Sequence, residues 1–336
     1  MNPSVERTCN PQSSPISIVF ENPLKAYFSG DFIFGKVIFN ARENQSVQTF
    51  SVHLRGEFYY MKGDTEQVES ILSESSPSDR GAGEGKVEMK FNLILKPTSP
   101  TSIQSPLGGI RYRVLATVAY SEGGSLQVVE ASEPISVNHP LHLPEKCSER
   151  RVRTVERAGI ICCIGSISAE LGINSAFLLS GQAVVVSGSV FNGTHTSVQA
   201  TVVNLVQSLQ RLRDGKKIKR TVNSLQRGAV LPGKMLVWPS EYLTVPPLPP
   251  TLANLFFKTW YEIIMEIQKV GGKLIKLKIP VVIGNMSATE VSFPNSGSED
   301  HKVEWKSSEL QNESNEFMPL YVTQVRRGTL EKLFCT

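Results

Sequence analysis

Apolar and polar residues alternate along much of the first half of the chain. The segments KVEMKFNLIL, residues 86–95, and GIRYRVLATVAY, residues 109–120, place an apolar side chain at nearly every second position. The expected buried side chains are Val87, Met89, Phe91, Leu93, Leu95, Ile110, Tyr112, Val114, Ala116 and Val118. A period of two residues is that of a strand with one buried face. Segments rich in Ser, Pro and Gly separate such runs, at 73–85 and 96–109, which predicts antiparallel sandwiches.

The second half shows the same pattern after the proline-rich, charged segment NHPLHLPEKCSERR, which we interpret as a domain boundary. Its predicted strands cover 155–167, 182–191, 198–212 and 218–225. Asp214 and Gly215 separate the last two, and Asp-Gly between alternating runs predicts a hairpin. The sequence therefore predicts an all-β protein with domains at 1–145 and 146–285. Residues 286–336 are polar and are expected to form a disordered tail.

One stretch, VPPLPPTLANLFFKTWYEIIMEIQKVGG at 245–272, fits both a helix and a strand. Its apolar residues recur at helical spacing, and they also alternate. We favour a strand, because a long helix would stand almost alone among short strands. The leading VPPLPP offers either a polyproline ligand for an SH3 or WW domain or an internal loop.

Composition narrows the class of protein. The 336 residues contain 40% hydrophobic and 20% charged residues, as in a globular protein of about two domains. The net charge of +4 is small, so no nucleic-acid partner is expected. The chain begins without an apolar signal segment and has no apolar run long enough for a membrane span. An odd set of five unspaced cysteines, at positions 9, 147, 162, 163 and 335, predicts free thiols in the cytoplasm.

The sequence offers no set of residues suited to catalysis. Its five histidines are scattered, and no nucleophile motif accompanies them. His139, His142 and Cys147 could supply part of a zinc site, but no fourth ligand is nearby. GAGEGK, residues 81–86, lacks the spacing of a phosphate-binding loop. We therefore expect a protein that is not an enzyme and binds no metal or cofactor.

Several segments together resemble the arrestins, in particular the arrestin-domain-containing or alpha-arrestin branch. They occur in family order from about residue 16 to residue 285: YFSGDFIFGKVIF, SVHLRGEF, GGIRYRVLATV, SGQAVVVSGSVFNGT, VPPLPPTL and LKIPVVIG. The resemblance implies two tandem immunoglobulin-like sandwiches, a strand within 255–270 and VPPLPP as an internal loop. It also implies an adaptor that links membrane cargo to ubiquitin ligases and endosomal sorting. The chain departs from its relatives in having no Pro-Pro-x-Tyr motif.

Two segments are candidate binding sites. RLRDGKKIKR surrounds one acid with six cations, Arg211, Arg213, Lys216, Lys217, Lys219 and Arg220. Such a hairpin suits anionic lipid headgroups or phosphorylated and acidic cargo tails, and a solvated hairpin without a partner is the alternative. MPLY, formed by Met318, Pro319, Leu320 and Tyr321, has half of a WW-domain ligand, because Met318 replaces the first proline, and structural or incidental tail residues are the alternative.

These features favour a cytoplasmic adaptor whose partners are membrane-protein cargo tails. A WW-domain ubiquitin ligase and an anionic membrane are further expected partners, with peripheral location at the plasma membrane or endosomes. The alternative is a structural subunit of a sorting coat, similar to the arrestin-fold component of retromer.

Overall fold

The protein is described by a computed structural model that covers residues 15–79, 85–144, 149–158, 165–269, 274–287, 301–308 and 317–326. Every regular element in these ranges is a β-strand, which confirms the predicted fold class. Among these residues, no helix has the length and hydropathy to cross a membrane.

The strands of the first half are β1 (Ile16–Phe20), β2 (Ala26–Phe28), β3 (Phe32–Asn40), β4 (Gln45–Lys62), β5 (Thr65–Asp79), β6 (Lys86–Ile94), β7 (Ile103–Ser105), β8 (Gly108–Glu122) and β9 (Ser125–Asn138). The remaining strands are β10 (His142–Leu143), β11 (Arg150–Ala158), β12 (Gly165–Ile173), β13 (Phe177–Leu179), β14 (Ala183–Asn192), β15 (Val198–Arg211), β16 (Lys217–Arg227), β17 (Met235–Thr244), β18 (Leu252–Ala253), β19 (Phe257–Lys269), β20 (Ile275–Gly284), β21 (Met286–Ser287), β22 (His301–Ser307) and β23 (Leu320–Arg326).

Two sheets form the first half, and their inward faces follow the predicted alternation. One sheet has the order β1-β3-β6, and the other has the order β2-β9-β8-β4-β5 with β7 paired to β8. Met89, Phe91 and Leu93 on β6 are buried at alternate positions, as are Tyr112 and Val114 on β8. Burial of one face of each strand is the main source of stability for such a sandwich.

A second sandwich is built from the sheets β11-β12-β14-β17 and β13-β20-β19-β15-β16. Both sheets contribute to a single buried cluster, with Leu171 and Trp238 from the first and Leu205, Ile263 and Ile279 from the second. Three further pairings complete the topology: β10 lies parallel to β21, β18 lies antiparallel to β19, and β22 lies antiparallel to β23.

The stretch at 245–272 contains a strand, as predicted. β19 lies antiparallel to β15 on one side and to β20 on the other. Its buried residues include Phe257, Tyr261, Ile263, Met265 and Ile267, which occupy alternate positions on one face. Helical spacing in this segment was coincidental, because burial in the centre of a sheet allows apolar residues on both faces.

Some expectations about element boundaries were wrong. β5 runs to Asp79, through part of a segment expected to be a loop, and β17 was not predicted. The single strand expected at 155–167 is instead the end of β11 and the start of β12. Serine and proline raise the probability of a turn locally, but pairing with a neighbouring strand overrides that preference.

The expectation of a disordered tail is wrong for the described residues beyond position 285, because they include β21, β22 and β23.

The division of the chain also differs from a boundary after residue 145. One compact unit comprises Met1–Phe58, Val68–Ser99 and Arg111–Ile135. The other comprises Tyr59–Gln67, Pro100–Ile110 and Ser136–Thr336. The alternation of apolar and polar residues continues unchanged along a long strand, so it does not show the position at which the strand passes from one compact unit to the other.

Candidate functional site: the basic hairpin and the docked C-terminal strand

The basic hairpin, residues 211–220, connects β15 to β16 as predicted. The last register pair joins Gln210 to Lys217, and the amide of Arg211 donates to the carbonyl of Lys216 at 2.9 Å. Gly215 has a φ of 71°, in the left-handed region that glycine adopts without steric cost. The Asp-Gly signal therefore predicted the turn correctly.

Arg211 is an internal residue of the hairpin, with 5% of its side chain exposed. Its Nε and Nη2 donate to the two carboxylate oxygens of Asp214 at 2.9 and 2.5 Å, and its Nη1 donates to the carbonyl of Leu107 at 2.6 Å. The Arg211 hydrogen bonds lower the pKa of Asp214 to about 2, and Asp214 raises the pKa of Arg211. The donors of Arg211 are occupied within the protein in this conformation, so we do not include it among the cations proposed to bind a ligand.

The ring of Tyr60 lies beside two of the predicted cations. The guanidinium carbon of Arg211 is 4.7 Å from the ring centroid, and that of Arg213 is 5.1 Å away. Both distances are within the range of cation–π attraction. Arg213 remains exposed, so it can contact a further partner.

Arg220 belongs to a hydrogen-bonded chain inside the second compact unit. Its Nε donates to the side-chain oxygen of Gln207 at 2.5 Å, and Gln207 donates to the hydroxyl of Tyr261 at 2.8 Å. The Tyr261 hydroxyl donates in turn to the carbonyl of Pro249 at 2.6 Å. Burial lowers the pKa of Arg220. Its Nε is thus occupied within the protein, and contact of Arg220 with lipid or cargo stays a prediction.

The other predicted cations of the hairpin face solvent. The side chains of Lys216 and Lys219 are 66% and 53% exposed, and Lys217 is also exposed. Two of them form long ion pairs: Lys216 Nζ lies 3.9 Å from Asp214 Oδ2, and Lys219 Nζ lies 3.7 Å from Glu262 Oε2. Such loose, exposed pairs contribute little to folding, so these lysines can bind an anionic partner.

The segment Met318–Tyr321 leads into β23, which begins at Leu320. Pro319 is buried and Tyr321 is 1% exposed, whereas Met318 and Leu320 are half-buried. Pro319 and Tyr321 are therefore inaccessible to a WW domain in this conformation, and the role of the segment as a WW ligand stays a prediction. A WW groove needs the proline and tyrosine rings of its ligand, and both are covered here.

Hydrogen bonds hold β23 in place along its length. The amide of Leu320 donates to Ser136 Oγ at 2.9 Å, and its carbonyl accepts a 2.9 Å bond from the side chain of Asn138. Further along, the amide of Gln324 donates to the carbonyl of Ser180 at 3.0 Å. Strand β23 is thus docked at both of its ends.

Arg220 of the basic hairpin and Tyr321 of β23 affect each other electrostatically. Burial raises the pKa of Tyr321, and the positive charge of Arg220 opposes that rise. Such a mutual electrostatic effect requires the two side chains to be close. The hairpin and the C-terminal strand, which are about 100 positions apart in sequence, therefore belong to one neighbourhood.

Comparison with known proteins identifies an arrestin domain in the second half of the chain. Residues 164–288 match the profile of the family "Arrestin (or S-antigen), C-terminal domain". This match and the similar proteins below support an arrestin-domain-containing, alpha-arrestin-like protein. It is 23% identical to arrestin domain-containing protein 17 of Caenorhabditis elegans over 350 residues, covering 88% of this chain and 80% of that protein.

Two further relatives extend the similarity to mammals. Human arrestin domain-containing protein 4 is 23% identical, over 81% of this chain and 71% of that protein. Mouse thioredoxin-interacting protein is 22% identical, over 80% of this chain and 73% of that protein. The basic hairpin lies inside the matched arrestin C-terminal domain.

VPPLPP forms an internal loop of the arrestin C-terminal domain, as the resemblance implied. Leu248 is 2% exposed, and Pro249 and Pro250 are buried. The carbonyl of Leu248 accepts a bond from Ser180 Oγ at 3.4 Å. A buried loop cannot present its prolines to an SH3 or WW groove, so that alternative is excluded in this conformation.

In the part of the chain that the structure describes, no group of three or more His, Cys, Asp or Glu side chains is placed to hold a metal ion. Cys147 and the other four cysteines lie outside the described residues, as does most of GAGEGK.

Lys258, Trp260, Leu212 and Leu255 form the part of the site that sequence reasoning missed. The ring of Trp260 lies between Lys217 and Lys258, whose ammonium nitrogens are 5.9 and 5.8 Å from its centroid. The backbone amide of Leu212 donates to the carbonyl of Phe256 at 2.8 Å, which joins the hairpin to the loop before β19. No sequence signal pairs residues 212 and 256, because only the strand register brings them together.

Proposed function

We propose that this arrestin-domain-containing protein is a non-enzymatic cytoplasmic adaptor in the traffic of membrane proteins. It binds acidic or phosphorylated cargo tails through the exposed cations of the basic hairpin. The observation that supports this role is the solvent-facing position of Lys216, Lys217 and Lys219 on one strand-and-turn segment of the arrestin C-terminal domain.

The electrostatics favour a clustered anionic ligand over a single carboxylate. A phosphoserine carries a charge between about −1.5 and −2 and three acceptor oxygens, so it can engage two lysines at once. Arg211 and Asp214 compensate each other inside the turn, and this leaves the outer lysines as the dominant charges. The geometry of the turn is fixed by those internal bonds, which reduces the ordering cost of binding.

Recruitment of a WW-domain ubiquitin ligase through Met318–Tyr321 is the second half of the proposed role. Because Pro319 and Tyr321 are covered, this step requires release of β23 from Ser136, Asn138 and Ser180. The proposed adaptor would therefore recruit its ligase only in a second conformation, at the plasma membrane or endosomes.

Affinity purification from cells tests the role directly. The wild-type chain is compared with a variant in which Lys216, Lys217 and Lys219 are replaced by Gln, and captured proteins are identified by mass spectrometry. A matched control replaces the exposed Lys90, Lys234 and Lys278 by Gln. We expect membrane proteins with acidic or phosphorylated cytoplasmic tails to be captured by the wild type and the control, and to be lost from the hairpin variant. An unchanged set of partners in the hairpin variant would refute the proposal.

A further inference from the structure

Two leucines protrude from neighbouring loops at the end of the basic hairpin. Leu255 is 87% exposed and Leu212 is 42% exposed. We call this pair the apolar tip. The hydrogen bond from the Leu212 amide to the Phe256 carbonyl keeps the two loops together. Leu255 gains little from the hydrophobic effect within this fold, and together with Leu212 it forms an exposed apolar patch.

The loop that carries Leu255 is held in a fixed turn. The side-chain oxygen of Asn254 accepts bonds from the amides of Phe256 and Phe257, both at 2.8 Å. The amide of Asn254 donates to the carbonyl of Phe257 at 3.0 Å. These three bonds turn residue 255 outward, so its exposure follows from the backbone geometry.

Cations and an aromatic ring stand directly behind the apolar tip. Lys217 and Lys258 both pair with Gln210 across β15, so they lie on one face of the sheet. Trp260 pairs with Ser208, two residues earlier on β15, and therefore shares that face. Arg213 and Lys216 extend the positive charge around the turn, while the negative charge of Asp214 is compensated by Arg211.

We propose that the apolar tip inserts into an anionic lipid bilayer, with the surrounding lysines on the headgroups and Trp260 at the interface. This inference deepens the proposed role at membranes, and its test is independent of cargo. Protruding leucines, an interfacial tryptophan and flanking lysines are the three components of a peripheral membrane anchor. Each lysine near an anionic surface adds attraction that salt screens.

The shape of the tip favours a membrane over an acidic peptide as the occupant. A peptide contributes binding energy by filling grooves, whereas a side chain that is 87% exposed stands on a convex surface. A fluid bilayer accepts a convex apolar group without a preformed pocket. An acidic peptide needs only the cations, so the contribution of Leu255 separates the two partners.

Vesicle sedimentation of the full-length chain tests the proposal. Vesicles of phosphatidylcholine mixed with phosphatidylserine are compared with vesicles of phosphatidylcholine alone. Leu255→Ser is expected to lower affinity for the mixed vesicles about tenfold, close to the loss of one buried leucine's transfer free energy. The combined Lys217→Gln and Lys258→Gln variant is expected to lower this affinity at low salt and to weaken its salt dependence.

Leu231→Ser is the matched control. Leu231 is 57% exposed and follows Val230, which bridges Val198 at the opposite end of β15. The length of β15, 14 residues, separates Leu231 from Leu255 by roughly 45 Å. This substitution should leave vesicle binding unchanged, and thermal unfolding should show that both serine variants keep the wild-type midpoint.

Insertion itself is measured with Leu255→Trp and lipids brominated in the acyl chain. We expect fluorescence from the added tryptophan to be quenched in anionic vesicles, beyond any quenching of the parent chain. Wild-type vesicle affinity in Leu255→Ser, or no added quenching in Leu255→Trp, would overturn insertion and leave a surface that binds anions through cations only. The insertion proposal would also be overturned if Leu255→Ser lost as much affinity for a phosphopeptide as for the mixed vesicles, because the apolar tip would then contact protein.

Discussion

The hydroxyl of Tyr321 donates a hydrogen bond to the carbonyl oxygen of Ser102, at 3.3 Å, across 219 positions of sequence. Both residues are in the second compact unit, and both are fully buried. The contact fixes the C-terminal strand within the fold. It also places the aromatic residue of the predicted ligase ligand where no WW domain can reach it.

Substitution of Tyr321 should release the C-terminal strand. Tyr321→Phe removes one long hydrogen bond and is expected to cost about 0.5 to 1 kcal/mol. Tyr321→Ala also removes a buried ring, so docking of β23 should fail, with a loss of up to about 3 to 5 kcal/mol. Hydrogen exchange of the Leu320 and Gln324 amides measures both effects. Unchanged protection of these amides in Tyr321→Ala would show that the ring does not hold the strand.

Gly181 provides a second way to displace β23. Its φ is 89°, and a Cβ atom at this position would lie 2.7 Å from the carbonyl oxygen of Gln324. Gly181→Ala should therefore push the strand away and speed exchange of the Gln324 amide. Gly233→Ala is the control, because its φ of 69° imposes similar strain and no atom lies within 4 Å. Equal exchange rates in the two variants would contradict a close approach at Gly181.

Protonation of Asp214 should break its contact with Arg211 only in strong acid. Because its folded pKa is lowered from 3.8 to about 2, its contact with Arg211 stabilises the fold above about pH 4. That contribution is lost as the pH falls from about 4 to about 2. Carboxyl chemical shifts should give a midpoint near 2 in the wild type and a higher midpoint in Arg211→Gln. A wild-type midpoint near 3.8 would mean that the pair does not form.

A peptide of residues 315–324 should bind WW domains weakly, whereas the intact chain with β23 docked should not bind them. Met318 keeps rotamer freedom that proline lacks, so the native peptide should bind about 1 kcal/mol more weakly than its Met318→Pro form. Tyr321→Ala should abolish binding. Titration of the peptides and the full chain against ligase WW domains measures this. Identical isotherms for the three peptides would exclude the segment as a ligand.

The sequence was sufficient for the strands whose burial is one-sided. Met89, Phe91 and Leu93 alternate because one face of β6 meets the core, and the hairpin at Gly215 follows from local turn chemistry. The C-terminal strand escaped prediction because its partners, such as Ser136 and Ser180, are distant in sequence and polar. The buried residues of β23 also do not alternate, since Tyr321 and Val322 are adjacent and both buried, and strand prediction depends on apolar alternation.

The candidate site was only partly predictable for a similar reason. Composition showed six cations at 211–220, but it could not show that Arg211 and Arg220 point inward to Asp214 and Gln207. Charge in a sequence does not distinguish a buried, paired guanidinium from an exposed one. Lys258, on another strand, joins the site only through the register of β19 with β15.

The most direct test of the account is titration of the full chain with a peptide carrying clustered phosphoserines, at low and at high salt. We expect the chain to bind the phosphorylated peptide more tightly than the unphosphorylated one, and to bind it more weakly as salt increases. Replacing Lys216, Lys217 and Lys219 by Gln should reduce affinity about tenfold, since each exposed pair contributes up to about 1 kcal/mol. The same exchange at Lys90, Lys234 and Lys278 should have no effect. Equal affinities in the two triple variants would contradict the assignment of the basic hairpin as the cargo site.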